Sequence, residues 1–145
     1  MPTSVSIPGC VYLTASTRAA ERASALAGSK RIQVHRSSSV EEAGAWLGAS
    51  NARTLLTDVS FDRGGWRDAL RMAAGLPFQT ALVLVLERMD EMLWLDALER
   101  GVYDVILEPL RARELRRILL NANFHATHRL PGRRPEAEVL VCAAY

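Results

Sequence analysis

The segment TALVLVL, residues 80–86, contains six apolar residues in unbroken succession. A strand with one wet face alternates apolar and polar side chains, so an unbroken run requires cover on both faces. The run is also far short of the roughly 20 residues needed to span a bilayer. Two further runs, RTLLTDV (53–59) and YDVILEP (103–109), share its richness in Val, Ile and Leu and are bounded by polar or turn residues. Weaker strand patterns occur at CVYLT (10–14) and RIQVHR (31–36).

Helical patterns separate these strands. TRAAERASALA (17–27) is rich in alanine, and Gly28 follows it as a C-terminal stop. In SSVEEAGAWLG (38–48), either Ser38 with Glu41 or Ser39 with Glu42 has the spacing of a capping box. A third helix is expected over residues 65–74. A fourth covers MDEMLWLDALERG (89–101), with Met89, Leu93 and Ala97 on one stripe. A fifth covers RARELRRILLNANF (111–124), with Leu115, Ile118 and Leu119 as its buried face. Five strands alternating with five helices predict an α/β fold, a three-layer, doubly wound sheet of five parallel strands. Ligands bind such sheets beyond the carboxyl ends of the strands, where the strand order reverses. Asp58 stands at such an end, between an apolar run and the glycine-containing loop SFDRGG.

A chain of 145 residues, 49% hydrophobic, buries one core and is too short for two ordinary domains. One domain is expected over residues 9–124, followed by a C-terminal extension, 125–145, made of a Pro/Gly/Arg linker and a short apolar segment, VLVCAA. That segment reads as a sheet-edge strand, a partner-binding strand or a disordered tail. The N-terminus has no basic region leading into a long apolar stretch, so the expected compartment is the cytoplasm. Cys10 and Cys142 lack the C-x-x-C spacing of a zinc or redox pair. Net charge is +2, with arginine gathered late at 111, 113, 116, 117, 129, 133 and 134. This reads as a solvated helix face and a basic tail, with neither nucleic acid nor membrane as the expected partner.

The order of elements, Asp58 after the third strand, and ALERGVYDVILEPLRARELRRIL (97–119) together resemble a response-regulator receiver domain of the CheY-like family. The resemblance covers about residues 9–124. It implies phosphoryl transfer from a partner histidine kinase to an aspartate, with Mg²⁺ held by that aspartate and an acidic pair after the first strand. Such chemistry consists mostly of positioning and charge neutralisation, which is why it needs a metal and a lysine. Asp58 matches the phosphoacceptor. The acidic pair falls on Thr14 and Ala15, the hydroxyl after the fourth strand on Leu86, and the lysine before the proline on Glu108. The switch aromatic falls on Val105, with Tyr103 two residues earlier. Replacing Lys by Glu removes a cation and adds an anion, and two like charges about 4 Å apart cost roughly 4 kcal/mol at an effective dielectric near 20.

These positions point to a stand-alone, degenerate receiver, a pseudo-receiver that is not an enzyme, has no catalytic residue and signals by protein–protein contact. No cofactor is expected, and Mg²⁺ only if Asp58 is phosphorylated. The expected partners are a histidine kinase or an output protein, and a homodimer through the face made by the fourth helix, fifth strand and fifth helix. Trp94, Tyr103, Arg113 and Arg117 are the interface candidates there, because Trp is enriched at hot spots and that face carries receiver contacts. No segment after residue 124 is long enough for a helix-turn-helix module. One alternative keeps Asp58 as a working phosphoacceptor. Another is a flavodoxin-like phosphate or nucleotide module using residues 14–17, although capping by Ser16 or Thr17 explains these hydroxyls better. Around the site, an ion pair from Glu108 or Asp58 to Arg63, Arg88 or Arg111 is favoured over a metal site built from Asp58, Asp62, Glu87 and Glu108. Trp46 and Trp66 read as helix-edge packing, and His125 and His128 as solvent-exposed.

Overall fold

The structure, a computed structural model, describes residues 9–28 and 32–128. The N-terminal residues and the apolar segment near the C-terminus lie outside the described residues, as does Cys142. Five parallel strands form one sheet in the order β2-β1-β3-β6-β7. They are β1 (Gly9–Leu13), β2 (Gln33–Ser37), β3 (Thr54–Asp58), β6 (Ala81–Leu86) and β7 (Asp104–Leu107). Between β3 and the following helix, β4 (Ser60–Phe61) and β5 (Gly64–Gly65) make a small antiparallel hairpin in place of the expected loop. The helices are α1 (Thr17–Leu26), α2 (Val40–Ala49), α3 (Trp66–Ala74), α4 (Glu91–Glu99) and α5 (Ala112–His128).

Alternation along β6 explains its unbroken apolar sequence. Val83 and Val85 enter one core, with Ala20 and Ala23 of α1 and Leu115, Ile118 and Leu119 of α5. Leu82, Leu84 and Leu86 enter the other, with Ala43 and Leu47 of α2, Trp66 and Ala69 of α3, and Ala97 of α4. Each residue of the strand is therefore apolar because both faces are roofed by helices. The two layers bury Tyr12, Leu56 and Cys10 on the α1/α5 side, and burial pushes the Cys10 thiol up to about 12, leaving it protonated.

Local chemistry sets the helix ends. The Ser16 side chain accepts from the Ala19 N–H at 3.0 Å and starts α1, while Gly28 takes φ +85° just after it. For α2 the second capping pair is used: Ser39 accepts from the Glu42 N–H, and the Glu42 carboxylate reaches back to the Ser38 N–H. The Asp90 carboxylate accepts from the Leu93 N–H, so α4 begins two residues later than expected and Met89 lies outside it, 55% exposed. α5 continues four residues past its expected end, because Ala122 and Ala126 extend the buried face. A carboxylate on α4, Asp96, binds Arg100 of its own helix at 2.8 Å and Arg67 of α3 at 2.5 Å, tying the two helices together.

The tryptophans divide sharply. Trp66 is 2% exposed within the α2/α3/α4 core, whereas Trp46 is 39% exposed and stacks on His35 with ring centroids 4.4 Å apart. Trp66→Ala is expected to cost about 3–5 kcal/mol in urea unfolding. Trp46→Ala should cost about 1 kcal/mol or less, because little buried volume is lost there.

Candidate functional site

Parallel pairing brings the site together. β1 and β3 pair with Leu13 opposite Thr57 and Tyr12 opposite Leu56, so Thr14 and Asp58 are the next residues up at the carboxyl edge. Asp58 lies opposite Val85 of β6, and Val85 lies opposite Ile106 of β7. Since side chains repeat every two residues, Tyr12, Thr14, Asp58 and Glu108 all belong to the α1/α5 face of the sheet. The strand order turns back between β1 and β3, the location at which open α/β sheets build their sites.

Here the Asp58 carboxylate receives two hydroxyls. The Tyr12 Oη donates to Oδ1 at 2.6 Å, and the Thr14 Oγ1 donates to Oδ2. The Thr14 oxygen in turn accepts from the Ser16 N–H at 3.1 Å. Behind this loop, Arg36 of β2 donates to the carbonyls of Thr14 and Ala15. Tyr12 and Thr14 are fully buried. Burial first, and its hydrogen bond to a carboxylate second, push the Tyr12 phenol far above its ordinary range, so it remains a donor.

Asp58 lines an open cleft of about 690 Å³ with Ser16, Ser60, Glu87, Met89, Leu93 and Glu108 among its walls. Glu108 follows β7 and its N–H continues the ladder to the Leu86 carbonyl at 2.8 Å, ahead of a cis bond to Pro109. Desolvation, then repulsion from Asp58 and Glu87, raises the Glu108 carboxyl above its ordinary value, with Arg22 opposing. The expected ion pairs are not formed: among the described residues, neither Asp58 nor Glu108 has an arginine within salt-bridge distance, and the pairs present join Arg67 and Arg100 to Asp96 and Arg71 to Asp68. Asp58 is bonded to hydroxyls from its own sheet face instead. The four carboxylates considered as a metal site do not converge, since no group of three potential ligands suited to an ion occurs among the described residues.

The residues present do not fit Mg²⁺. Thr14 and Ala15 bring no carboxylate, and Thr14 spends its hydroxyl on an oxygen of Asp58. Leu86 is a core side chain, 1% exposed, turned into the α2/α3/α4 layer. Ala15 is exposed at the loop. Ser16 serves as the cap of α1, which engages the hydroxyl considered for phosphate binding. Tyr12 was legible only as a strand residue. Its signal is its place in register, two residues before Thr14 and on the face of Asp58.

The interface candidates are placed unevenly. Trp94 is half-buried against the α2/α3/α4 core, and the outward apolar side chains of α4 are Met92 and Leu95, 81% and 61% exposed. Trp94 turns inward because it follows Leu93 and precedes Ala97 on the packed side of the helix. Tyr103 is half-buried, with its ring 4.8 Å from that of His125, so His125 is not free in solvent. His128 stacks on Phe124 at 4.0 Å. Arg113 and Arg117 are exposed on α5 beside an open groove of about 520 Å³, and Arg117 attracts the half-buried Asp104.

Comparisons with solved structures agree with this fold. The receiver domain of an HD domain-containing protein from Pseudomonas fluorescens Pf-5 superposes with a TM-score of 0.74 at 18% identity, over 90% of this chain and 98% of that one. CheY4 of Vibrio cholerae gives 0.69 at 12% identity, over 81% and 99%, and a CheY-like receiver from Methanospirillum hungatei JF-1 gives 0.70 at 13%, over 84% and 98%. No family model and no curated protein matches the chain in sequence. The fold is that of a CheY-like response-regulator receiver. No helix among the described residues is long and apolar enough to cross a membrane.

Glu108 yields a pH prediction. Its carboxyl binds a proton more tightly in the folded chain than in the unfolded one, so its charge opposes folding above the folded pKa, and the penalty fades as pH falls through the carboxylate range. Glu108→Gln should therefore raise the Tm at pH 7 by a small amount, because solvent screens this exposed group, and the gain should vanish near pH 4. Thermal melts of both proteins across pH 4–8 check the sign.

Proposed function

We propose that the chain is a pseudo-receiver: a receiver-fold module of two-component signalling that acts through protein–protein contact and does not depend on phosphorylation. The observation that carries this reading is the occupation of both Asp58 oxygens by Tyr12 and Thr14, with Glu108 where receivers place a lysine. A phosphoryl group brings about two further negative charges. Asp58 and Glu87 already repel Glu108 there. In this reading the domain does no catalysis, needs no cofactor and works in the cytoplasm with a histidine kinase or an output protein.

The contact surface is the face made by α4, β7 and α5. Among the described residues β7 is a sheet edge, and the helices beside it carry exposed apolar side chains, Met92 and Leu95 on α4 and Leu120 and Phe124 on α5. Charge divides across the same face, with Glu91 and Glu99 on α4 and Arg113 and Arg117 on α5. A second copy turned about a twofold axis would set each acidic helix against a basic one. A second reading, phosphoryl acceptance by Asp58, is favoured by one feature, the placement of its carboxylate on the wall of an open cleft.

Incubation with acetyl phosphate and Mg²⁺, followed by intact-mass measurement, separates these readings. An unmodified mass is expected, and an adduct that disappears in Asp58→Asn would establish the phosphoacceptor in its place. For the surface, Leu95→Asp should weaken self-association by about tenfold or more in sedimentation velocity if the side chain is a central contact. A wild-type protein that stays monomeric at high concentration would leave only a heterologous partner for this face.

A further inference from the structure

We propose that Tyr12 and Thr14 form a built-in clasp that withholds Asp58 from the cleft it lines, so that the aspartate ties β1 to β3 and is not available to an incoming electrophile or cation. The inference deepens the pseudo-receiver reading by adding a physical block to the missing groups. A carboxylate has about four lone-pair sites, and on Asp58 one site of each oxygen is taken by a charge-assisted hydrogen bond from a buried hydroxyl. Tyr12 and Thr14 are buried, and each side chain has its hydroxyl hydrogen directed at Asp58.

The clasp is also held from behind. The Ser16 N–H fixes the Thr14 oxygen from the start of α1, and Arg36 grips the carbonyls of Thr14 and Ala15 from β2. Tyr12 cannot swing away, because its ring lies in the core beneath α1 and α5. A group that displaces either hydroxyl from Asp58 takes a hydrogen bond from a buried donor, which costs more than loss of an exposed bond. Glu108 provides an internal comparison, since it lines the same cleft but is exposed.

Carboxylate labelling with a water-soluble carbodiimide and an amine, read by peptide mass spectrometry on the intact folded chain, tests the clasp. In the wild type Asp58 should react about tenfold or more slowly than Glu108, and Tyr12→Phe and Thr14→Val, which keep ring and volume, should each speed it several-fold. An increase confined to Asp58 supports the clasp. Asp58 rates that do not change in either variant, or that match Glu108 in the wild type, would overturn it, and so would an increase shared by the half-buried Asp104, which reports general loosening. Reactivity of wild-type Asp58 would sink the clasp and still leave the pseudo-receiver reading intact if no phosphoryl adduct forms, so the two failures are distinguishable.

Discussion

The pairing of β3 with β1 on one side and β6 on the other is the constraint from which the rest of the molecule follows. A strand held on both edges and roofed on both faces has no freedom of register, because a slip of one residue would move every side chain to the opposite core. Leu55 and Leu56 are both fully buried, in opposite layers. With β3 fixed in this way, Asp58 can only emerge at the carboxyl edge beside Thr14, and Tyr12 can only lie beneath it.

That placement decides the electrostatics of the edge. Charged groups are tolerated there because the cleft is open, yet the four acids along it, Asp58, Glu87, Asp90 and Glu108, share their wall with a single arginine, Arg88. Arg88 shares the wall without closing to salt-bridge distance, and Arg22 acts on Glu108 at longer range. Hydrogen bonding from two hydroxyls satisfies the Asp58 oxygens without cancelling the carboxylate's charge. The edge keeps its negative field as a result, while the basic residues of α5 give the neighbouring face the opposite sign.

Much of this was legible in the sequence for a definite reason. An apolar run such as TALVLVL admits few architectures, and alternation with helix signals left the five-stranded parallel sheet as the consistent one. Asp58 and Leu86 close β3 and β6, and Glu108 lies one residue beyond β7. Side-chain partners were harder, since they depend on which neighbour reaches first. An arginine looked the natural companion for Asp58, but the sheet register delivers Tyr12 and Thr14 at hydrogen-bond distance, whereas Arg63 and Arg111 sit outside on exposed loops. Trp94 lies one position off the Leu93 and Ala97 stripe and packs half-buried beside both against the α2/α3/α4 layer, while only Met89 of the counted stripe falls outside the helix. The β4–β5 hairpin was invisible because two-residue strands carry no periodicity.

That hairpin begins in the wall of the cleft, at Ser60, and closes on itself just beyond it. Ser60 pairs with Gly65 and Phe61 with Gly64, the buried Phe61 anchors the arch, and the Asp68 carboxylate accepts from the Gly65 N–H at the root of α3. Only Asp62 and Arg63 project at its tip, both exposed. The chain after β3 thus reaches α3 through a closed stem whose ends are set before the tip is considered. Length and sequence at the tip are therefore free variables, and the molecule has a natural place to accept a grafted peptide a few residues beyond its aspartate without disturbing either strand or helix.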